Sequence, residues 1–170
     1  MKKYLLSFLA SFVTILVMAQ SNDKMIKHSG ETLDVKIIKV GETTVSYKYP
    51  GEDAEQTIGK FAVASITYGS GRKEVVSEKI AISAKDDWEK VQIVTDKSQI
   101  LGLKSSGDVR GKTSGFLTYN SAGSADKKAT RKIKEAAADM GAPFVLMTSD
   151  KNDGFGAKQA IKNGVAYTYK

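Results

Sequence analysis

The sequence predicts an α+β fold, in which a small antiparallel β domain is followed by a ββαββ domain with one helix packed on a sheet. Short runs of alternating apolar and polar residues, separated by glycine-containing turns, fill residues 20–79. A single helical pattern lies in the second half, with strand patterns on both sides of it. These patterns divide the chain into a segment 1–19, a β domain 20–79, a joint 80–87 and an α+β domain 88–170.

Residues 1–19 have the composition of a cleavable signal peptide. Two lysines precede an apolar stretch from Tyr4 to Val17, and a small residue, Ala19, ends the segment. The apolar stretch is shorter than the roughly 20 residues that cross a bilayer as a helix. We therefore expect cleavage after Ala19 and an exported mature chain, periplasmic or extracellular, without a transmembrane span.

The composition excludes several kinds of site. The chain has no cysteine, which excludes disulfides, thiolate metal ligands, a cysteine nucleophile and lipid attachment at an N-terminal cysteine. The protein is therefore not predicted to be a lipoprotein. Residues 80–170 carry fifteen basic and ten acidic side chains, whereas residues 20–79 are balanced. In the cell envelope such a basic half would meet another protein, an anionic polymer or lipid headgroups, and not nucleic acid.

Five or six short strands are predicted in the first half, at residues 24–27, 33–40, 45–49, 65–68 and 73–76, with 57–58 as the sixth. A change of the apolar face at Ile38 predicts a β-bulge. Residues 60–63 predict one helical turn, and the glycines of residues 69–71 predict a hairpin between the last two strands.

The second half predicts strands at residues 88–95, 100–109, 144–147 and 165–169, with a flexible loop at 111–123. Ser124 is the predicted N-cap of a helix that runs to Met140, where Gly141 ends it in the left-handed conformation. The apolar stripe of this helix consists of Ala129, Ile133, Ala136, Ala137 and Met140.

Five cations fill much of the remaining surface of the predicted helix. We call them the basic helix face: Lys127, Lys128, Arg131, Lys132 and Lys134. Charged residues opposite an apolar stripe usually form only a solvated surface. Five within eight positions would also give salt-sensitive contact with an anionic partner, so both interpretations stay open.

The first half resembles a small β domain of exported Bacteroidetes proteins. The resemblance rests on Gly30-Glu31, 35–40, Val45-Ser46-Tyr47-Lys48, Ile58, Lys60, Val63, Ile66-Thr67-Tyr68, Gly71 and Glu74. These are turn and core positions, so the resemblance implies a fold and carries no activity.

Residues 88–170 resemble the globular domain of the Rcs-pathway outer-membrane stress-sensor lipoprotein and its uncharacterised relatives. The matching positions are Leu101-Gly102, Val109, Gly111, 136–142, Phe144-Val145-Leu146 and Gly164-Val165-Ala166-Tyr167. The resemblance implies the fold of that domain. It does not imply the sensing mechanism, because that sensor is lipid-anchored and disulfide-linked and this chain has no cysteine.

The remaining candidate sites have simpler explanations. His28 is the only histidine and is predicted to lie in a turn rather than to act as a general base. Residues 106–113 miss the phosphate-loop pattern because Ser106 replaces its first glycine. Residues 150–161 lack the final glutamate of a calcium loop, so Asp150 to Gly154 predict an Asx-rich turn. Acidic residues 86–89 are expected to cap or solvate the start of the second domain.

These observations predict a non-enzymatic envelope protein, a binding, sensing or assembly module, without a cofactor or a bound metal. The alternative is a hydrolase of unrecognised type that uses carboxylates such as Asp150 and Asp153. An enzyme should show converging polar groups in a deep cleft, and a binding module a shallow patch. The large aromatic residues, Trp88 included, are predicted to be core or sheet-face residues rather than a ligand platform.

Overall fold

Ten strands in two sheets, together with one main helix, make up the described part of the chain. This computed structural model describes residues 22–113, 122–153 and 159–169. The fold is therefore mixed α+β with mostly antiparallel sheets, as the sequence predicts. The predicted signal peptide lies outside the described residues.

The first sheet is antiparallel throughout and has the strand order β4-β3-β2-β1-β5-β6. Its strands are β1 (Asp23–Lys27), β2 (Thr32–Val40), β3 (Thr44–Lys48), β4 (Glu55–Gly59), β5 (Val63–Thr67) and β6 (Lys73–Val75). The predicted bulge is confirmed by a register shift between Ile37 and Lys39. The predicted helical turn is a 3₁₀ turn at Lys60–Ala62, and the β5–β6 hairpin is also confirmed.

The second sheet has the order β7-β9-β10-β8, and its β7–β9 pair is parallel. Its strands are β7 (Gln92–Val94), β8 (Lys104–Lys112), β9 (Phe144–Asp153) and β10 (Gln159–Thr168). The helix α1 (Ala122–Asp139) lies between β8 and β9 in the sequence. It packs against β8, β9 and β10 and against a 3₁₀ segment at Lys85–Lys90.

The predicted strand at 88–95 is wrong over its first half. Trp88 belongs to the 3₁₀ segment, and only Gln92–Val94 pairs as β7. The Asp87 carboxylate accepts hydrogen bonds from the backbone N–H of Ser83, at 2.8 Å, and of Ala84, at 3.4 Å. This cap supports a helical turn where the apolar alternation predicted a strand, and it confirms the capping role expected for the acidic residues here.

The predicted strand at 100–109 begins too early. A 3₁₀ turn at Lys97–Ile100 is capped by Asp96, whose carboxylate accepts a hydrogen bond from Ser98 N–H at 2.8 Å. Strand β8 then runs from Lys104 to Lys112, so the start of the predicted loop is strand. Residues 106–112 of the phosphate-loop-like segment therefore lie in this strand, and Thr113 directly follows it. Residues 114–121 of the predicted loop lie outside the described residues.

The helix begins at Ala122, so Ser124 lies inside it and is not its N-cap. Its C-terminal end is as predicted, since Gly141 has a φ of 65°. The N–H groups of Gly141 and Ala142 donate to the carbonyls of Ala138 and Ala137, both at 2.9 Å. These two bonds form a Schellman motif, which satisfies carbonyl groups at the end of the helix.

The Asx-rich turn predicted at Asp150 to Gly154 is wrong for its first four residues. Strand β9 continues to Asp153, and Asp150 pairs with Lys162 of β10. Pairing with a neighbouring strand satisfies the backbone here, which overrides the turn preference of Asp and Asn.

The second sheet is covered on both faces. On one face, Phe144 and Leu146 share a buried cluster with residues of the first sheet such as Met25 and Ile66. On the other face, Val145 joins a cluster with Ile133 and other residues of α1. The alternation along β9 thus places the first sheet on one side of the second sheet and the helix on the other.

The apolar stripe of α1 is confirmed for Ala129, Ile133 and Ala137, which are fully buried. Ala136 is partly buried against the same cluster. Met140 does not belong to the stripe, because it follows the last helical residue and is 46% exposed.

Candidate functional site

The basic helix face divides into two rows along α1. Lys127, Arg131 and Lys134 are spaced i, i+4 and i+7, so they follow one line on the helix surface. Lys128 and Lys132 form a neighbouring row. All five side chains are exposed except that of Lys134, which is half-buried. The structure thus brings the predicted contact residues together on the side of α1 that faces away from the sheet.

The first row borders an open groove between α1 and the 3₁₀ segment at Lys85–Lys90. The groove has a volume of about 530 Å³ and is lined by Trp88, Asp126, Lys127, Lys128, Thr130, Arg131 and Lys134. The Arg131 guanidinium carbon lies 5.0 Å from the centre of the Trp88 ring, within the range of a cation–π contact. Four cations and one aromatic ring therefore share a concave surface.

Three cations of the basic helix face, Lys127, Lys132 and Lys134, form no ion pair with a described residue. Arg131 Nε donates to Glu135 Oε1 at 2.6 Å, but the Arg131 side chain is 60% exposed. This bond uses one of the five N–H donors of the guanidinium, so Arg131 has further donors for another anion. Lys132 Nζ donates to the carbonyl of Lys112 at 2.9 Å. Because a carbonyl has no net charge, this bond does not neutralise Lys132.

Asp126, the one acidic residue among the described residues that line the groove, is paired with a buried lysine. Lys162 Nζ lies 2.8 Å from Asp126 Oδ1 and 2.6 Å from Asp150 Oδ2, and its side chain is only 8% exposed. Burial opposes the charged form, but the hydrogen bonds to the two carboxylates outweigh it and raise the pKa of Lys162 above its ordinary value. Asp126 thus connects the lining of the groove to the buried Lys162.

Of the two carboxylates in the hydrolase hypothesis, the described structure shows the side-chain contacts of Asp150. Asp150 is held by Lys162 at 2.6 Å. The side chain of Asp153 lies outside the described residues. Within the described ranges, no group of three His, Asp or Glu side chains converges on a position for a metal ion.

His28 follows β1 and lies where the two sheets meet. Its ring centre is 4.9 Å from that of Tyr169, and its Nε2 is 2.9 Å from Ser77 Oγ. The Ser77 hydroxyl also lies within hydrogen-bond distance of two carbonyls, those of Lys60, at 3.0 Å, and Val63, at 2.8 Å. Because the hydroxyl proton goes to a carbonyl, the Nε2–H form of the neutral imidazole donates to Ser77. The contact between His28 and Ser77 therefore connects the end of β1 to the segment that follows β6, and its role is structural.

This contact predicts that stability falls as the solution becomes acidic. Burial, with a contribution from the charge of Lys79, lowers the pKa of His28 below 6.5, while a hydrogen bond with the backbone of Ser77 opposes the change. The unfolded chain therefore takes up a proton on His28 at a higher pH than the folded chain. The contribution of neutral His28 to stability is present above pH 6.5 and is lost as the pH falls below it. We expect the free energy of unfolding in urea to decrease between about pH 8 and about pH 5.

The variant His28→Gln separates this effect from the titration of the carboxylates. Glutamine stays neutral throughout, so the variant should show a smaller decrease over the same interval. An equal decrease in the wild type and in His28→Gln would contradict the role of His28.

No protein-family model and no curated protein matches the chain. No helix in the described part of the chain is long and apolar enough to cross a membrane. The groove beside Trp88 is the feature that the sequence analysis missed. The pattern Asp86-Asp87 before Trp88 is a capping signal that could have indicated a helical turn there.

Proposed function

We propose that the protein is an exported envelope protein without enzymatic activity, a binding, sensing or assembly module that contacts an anionic partner through the basic helix face. The observation that carries this proposal is the row Lys127, Arg131 and Lys134 along the groove beside Trp88. Export is supported by the lysines, apolar stretch and small residue of residues 1–19. The periplasm and the extracellular space are both compatible with such a leader.

The packing of α1 favours a charged partner over the apolar interior of a membrane. Ala129, Ile133 and Ala137 are fully buried against the second sheet. An amphipathic helix that inserts into a lipid surface needs its apolar face free. Here that face is occupied, whereas Lys127 and Arg131 are exposed to solvent, where they attract anions at a range set by the salt concentration.

We also propose that residues 88–170 form a ββαββ domain related to the globular domain of the Rcs-pathway sensor. The order of β7, β8, α1, β9 and β10 supports this, as does the packing of α1 on one face of the sheet. The small β domain proposed for residues 20–79 is supported by six strands that pair only with one another. For the hydrolase alternative, the one contact of the Asp150 carboxylate among the described residues is its ion pair with Lys162, and this contact does not indicate catalysis.

Binding of the mature protein to immobilised dextran sulfate, with uncharged dextran as the reference, tests the proposed function. We expect binding to dextran sulfate alone, and we expect it to weaken as salt rises from about 0.05 M to about 0.5 M. The triple variant Lys127→Gln, Arg131→Gln and Lys134→Gln should bind about tenfold more weakly, a loss of about 1.4 kcal/mol. Each neutralised cation removes part of the attraction.

The matched control removes three exposed cations from the first sheet: Lys24, Lys36 and Lys39 are changed to glutamine. Its net charge equals that of the first triple variant, so binding should stay near the wild-type value. Equal losses in the two triple variants would contradict a localised site, since net charge alone would then explain the binding.

A further inference from the structure

Trp88 provides the groove with an aromatic floor, and the Arg131 guanidinium carbon lies over this ring, 5.0 Å from its centre. Part of its side chain packs against the cluster formed by α1 and the second sheet, and the remainder lines the groove. An aromatic ring in an open groove binds the apolar face of a ring-shaped ligand, while a simple anion needs only the cations. The floor therefore indicates a ligand that has an apolar face as well as negative charge.

The groove also offers polar groups of the kind that hydroxyl-rich ligands use. Thr130 contributes a hydroxyl that donates and accepts, and Lys127, Lys134 and Arg131 contribute N–H donors. The volume of about 530 Å³ lies within the usual range for small-molecule sites, about 300–1,000 Å³. A groove of this size accommodates one or two rings of an oligosaccharide.

The spacing of the cations favours a polymer with repeated charges. Along the helix axis, Lys127 and Arg131 are separated by about 6 Å and Arg131 and Lys134 by about 4.5 Å, given a rise of about 1.5 Å per residue. Three positive charges in one line attract a chain that carries a charge on successive units more strongly than an isolated anion.

We propose that the groove beside Trp88 binds an acidic polysaccharide, with the C–H face of one uronic acid unit on the indole of Trp88 and its carboxylate on Arg131. Glu135 accepts from the Nε–H of Arg131, and the uronate carboxylate binds the terminal N–H groups of the same guanidinium. Lys127 and Lys134 contact the charges of neighbouring units. This inference rests on the proposed function and specifies the class of ligand.

The intrinsic fluorescence of the protein reports on this groove directly, because Trp88 is the only tryptophan. The mature protein is titrated with an oligouronate of about six units, with its fully methyl-esterified form, with polyphosphate and with oligoglutamate. We expect the oligouronate to change the Trp88 emission in a saturable manner and to bind at least about tenfold more tightly than the neutral ester. Polyphosphate and oligoglutamate should bind more weakly than the oligouronate at the same salt concentration.

The variants Trp88→Leu and Trp88→Phe test the role of the ring, with binding measured by calorimetry. Trp88→Leu should lose about tenfold in affinity for the oligouronate and little for polyphosphate, whereas Trp88→Phe should retain most of the affinity for both. Circular dichroism verifies that each variant is folded.

The outcomes separate this inference from the proposed function. Equal affinity of wild type and Trp88→Leu for the oligouronate, or tighter binding of polyphosphate or oligoglutamate, would overturn the acidic-sugar inference while anion binding still stands. Unchanged binding of every anion by the triple glutamine variant at positions 127, 131 and 134 would overturn both.

Discussion

Replacing Phe144 with alanine is expected to lower the free energy of unfolding by about 3–5 kcal/mol. Phe144 is 1% exposed and lies in β9, on the face of the second sheet that packs against the first sheet. Its ring stacks on that of Phe61 with 4.6 Å between centres and meets the edge of the Tyr169 ring at 5.8 Å. Alanine would leave a cavity between the sheets that the surrounding strands cannot close.

Urea unfolding followed by circular dichroism measures this loss. Phe144→Leu keeps most of the apolar volume and loses the aromatic contacts, so it should cost less, about 1–2 kcal/mol. Val75→Ala serves as a surface control, since Val75 is 75% exposed, and should change stability by less than about 0.5 kcal/mol. A loss below about 1 kcal/mol for Phe144→Ala would contradict a core shared by the two sheets.

Gly111→Ala is the second substitution for which we expect a large effect, a loss of about 3 kcal/mol. Gly111 is buried in β8, and a methyl group there would overlap the carbonyl oxygen of Ala129 and lie 3.0 Å from Ile133 N. Both of these atoms belong to the backbone of α1, which cannot rotate away as a side chain can. The helix would have to move off the sheet, and the basic helix face would move with it.

Gly123→Ala is the matched control for the glycine substitution. Gly123 lies near the start of α1, and a methyl group there would meet nothing within 4 Å. Alanine is the better helix former, so this variant should be as stable as the wild type or more stable by up to about 1 kcal/mol. Thermal unfolding of the two variants makes the comparison, and equal melting temperatures would contradict the close approach of α1 to β8 at Gly111.

Most strands of the first sheet were predictable from the sequence because their alternation is local, whereas the pairing of β1 with β5 joins distant segments. Alternation in β3 places Val45 and Tyr47 in the core, and the glycine-rich turn at 69–71 joins two strands that pair with each other. The second half was predicted less well for two physical reasons. Side-chain caps at Asp87 and Asp96 stabilise 3₁₀ turns in place of strand, and pairing with β10 extends β9 across residues that favour turns.

The candidate site was predictable only in part. The cations of α1 follow from sequence spacing alone, because residues three and four apart lie on one helix face. The position of Trp88 beside them depends on the 3₁₀ segment and on how that segment packs against α1. Contacts between residues more than 40 positions apart, such as Trp88 and Arg131, do not follow from the periodicity of either segment.

Site-specific photocrosslinking in the native envelope tests most directly whether the groove is the contact surface. A photoreactive residue is placed at Thr130, which lines the groove, and in a parallel variant at Thr32, an exposed position of the first sheet. The proposed function predicts crosslinks from position 130 to an anionic envelope component, lost at high salt and in the triple glutamine variant. Crosslinks from position 32 alone, or crosslinks from position 130 that persist at high salt and in the triple variant, would contradict it.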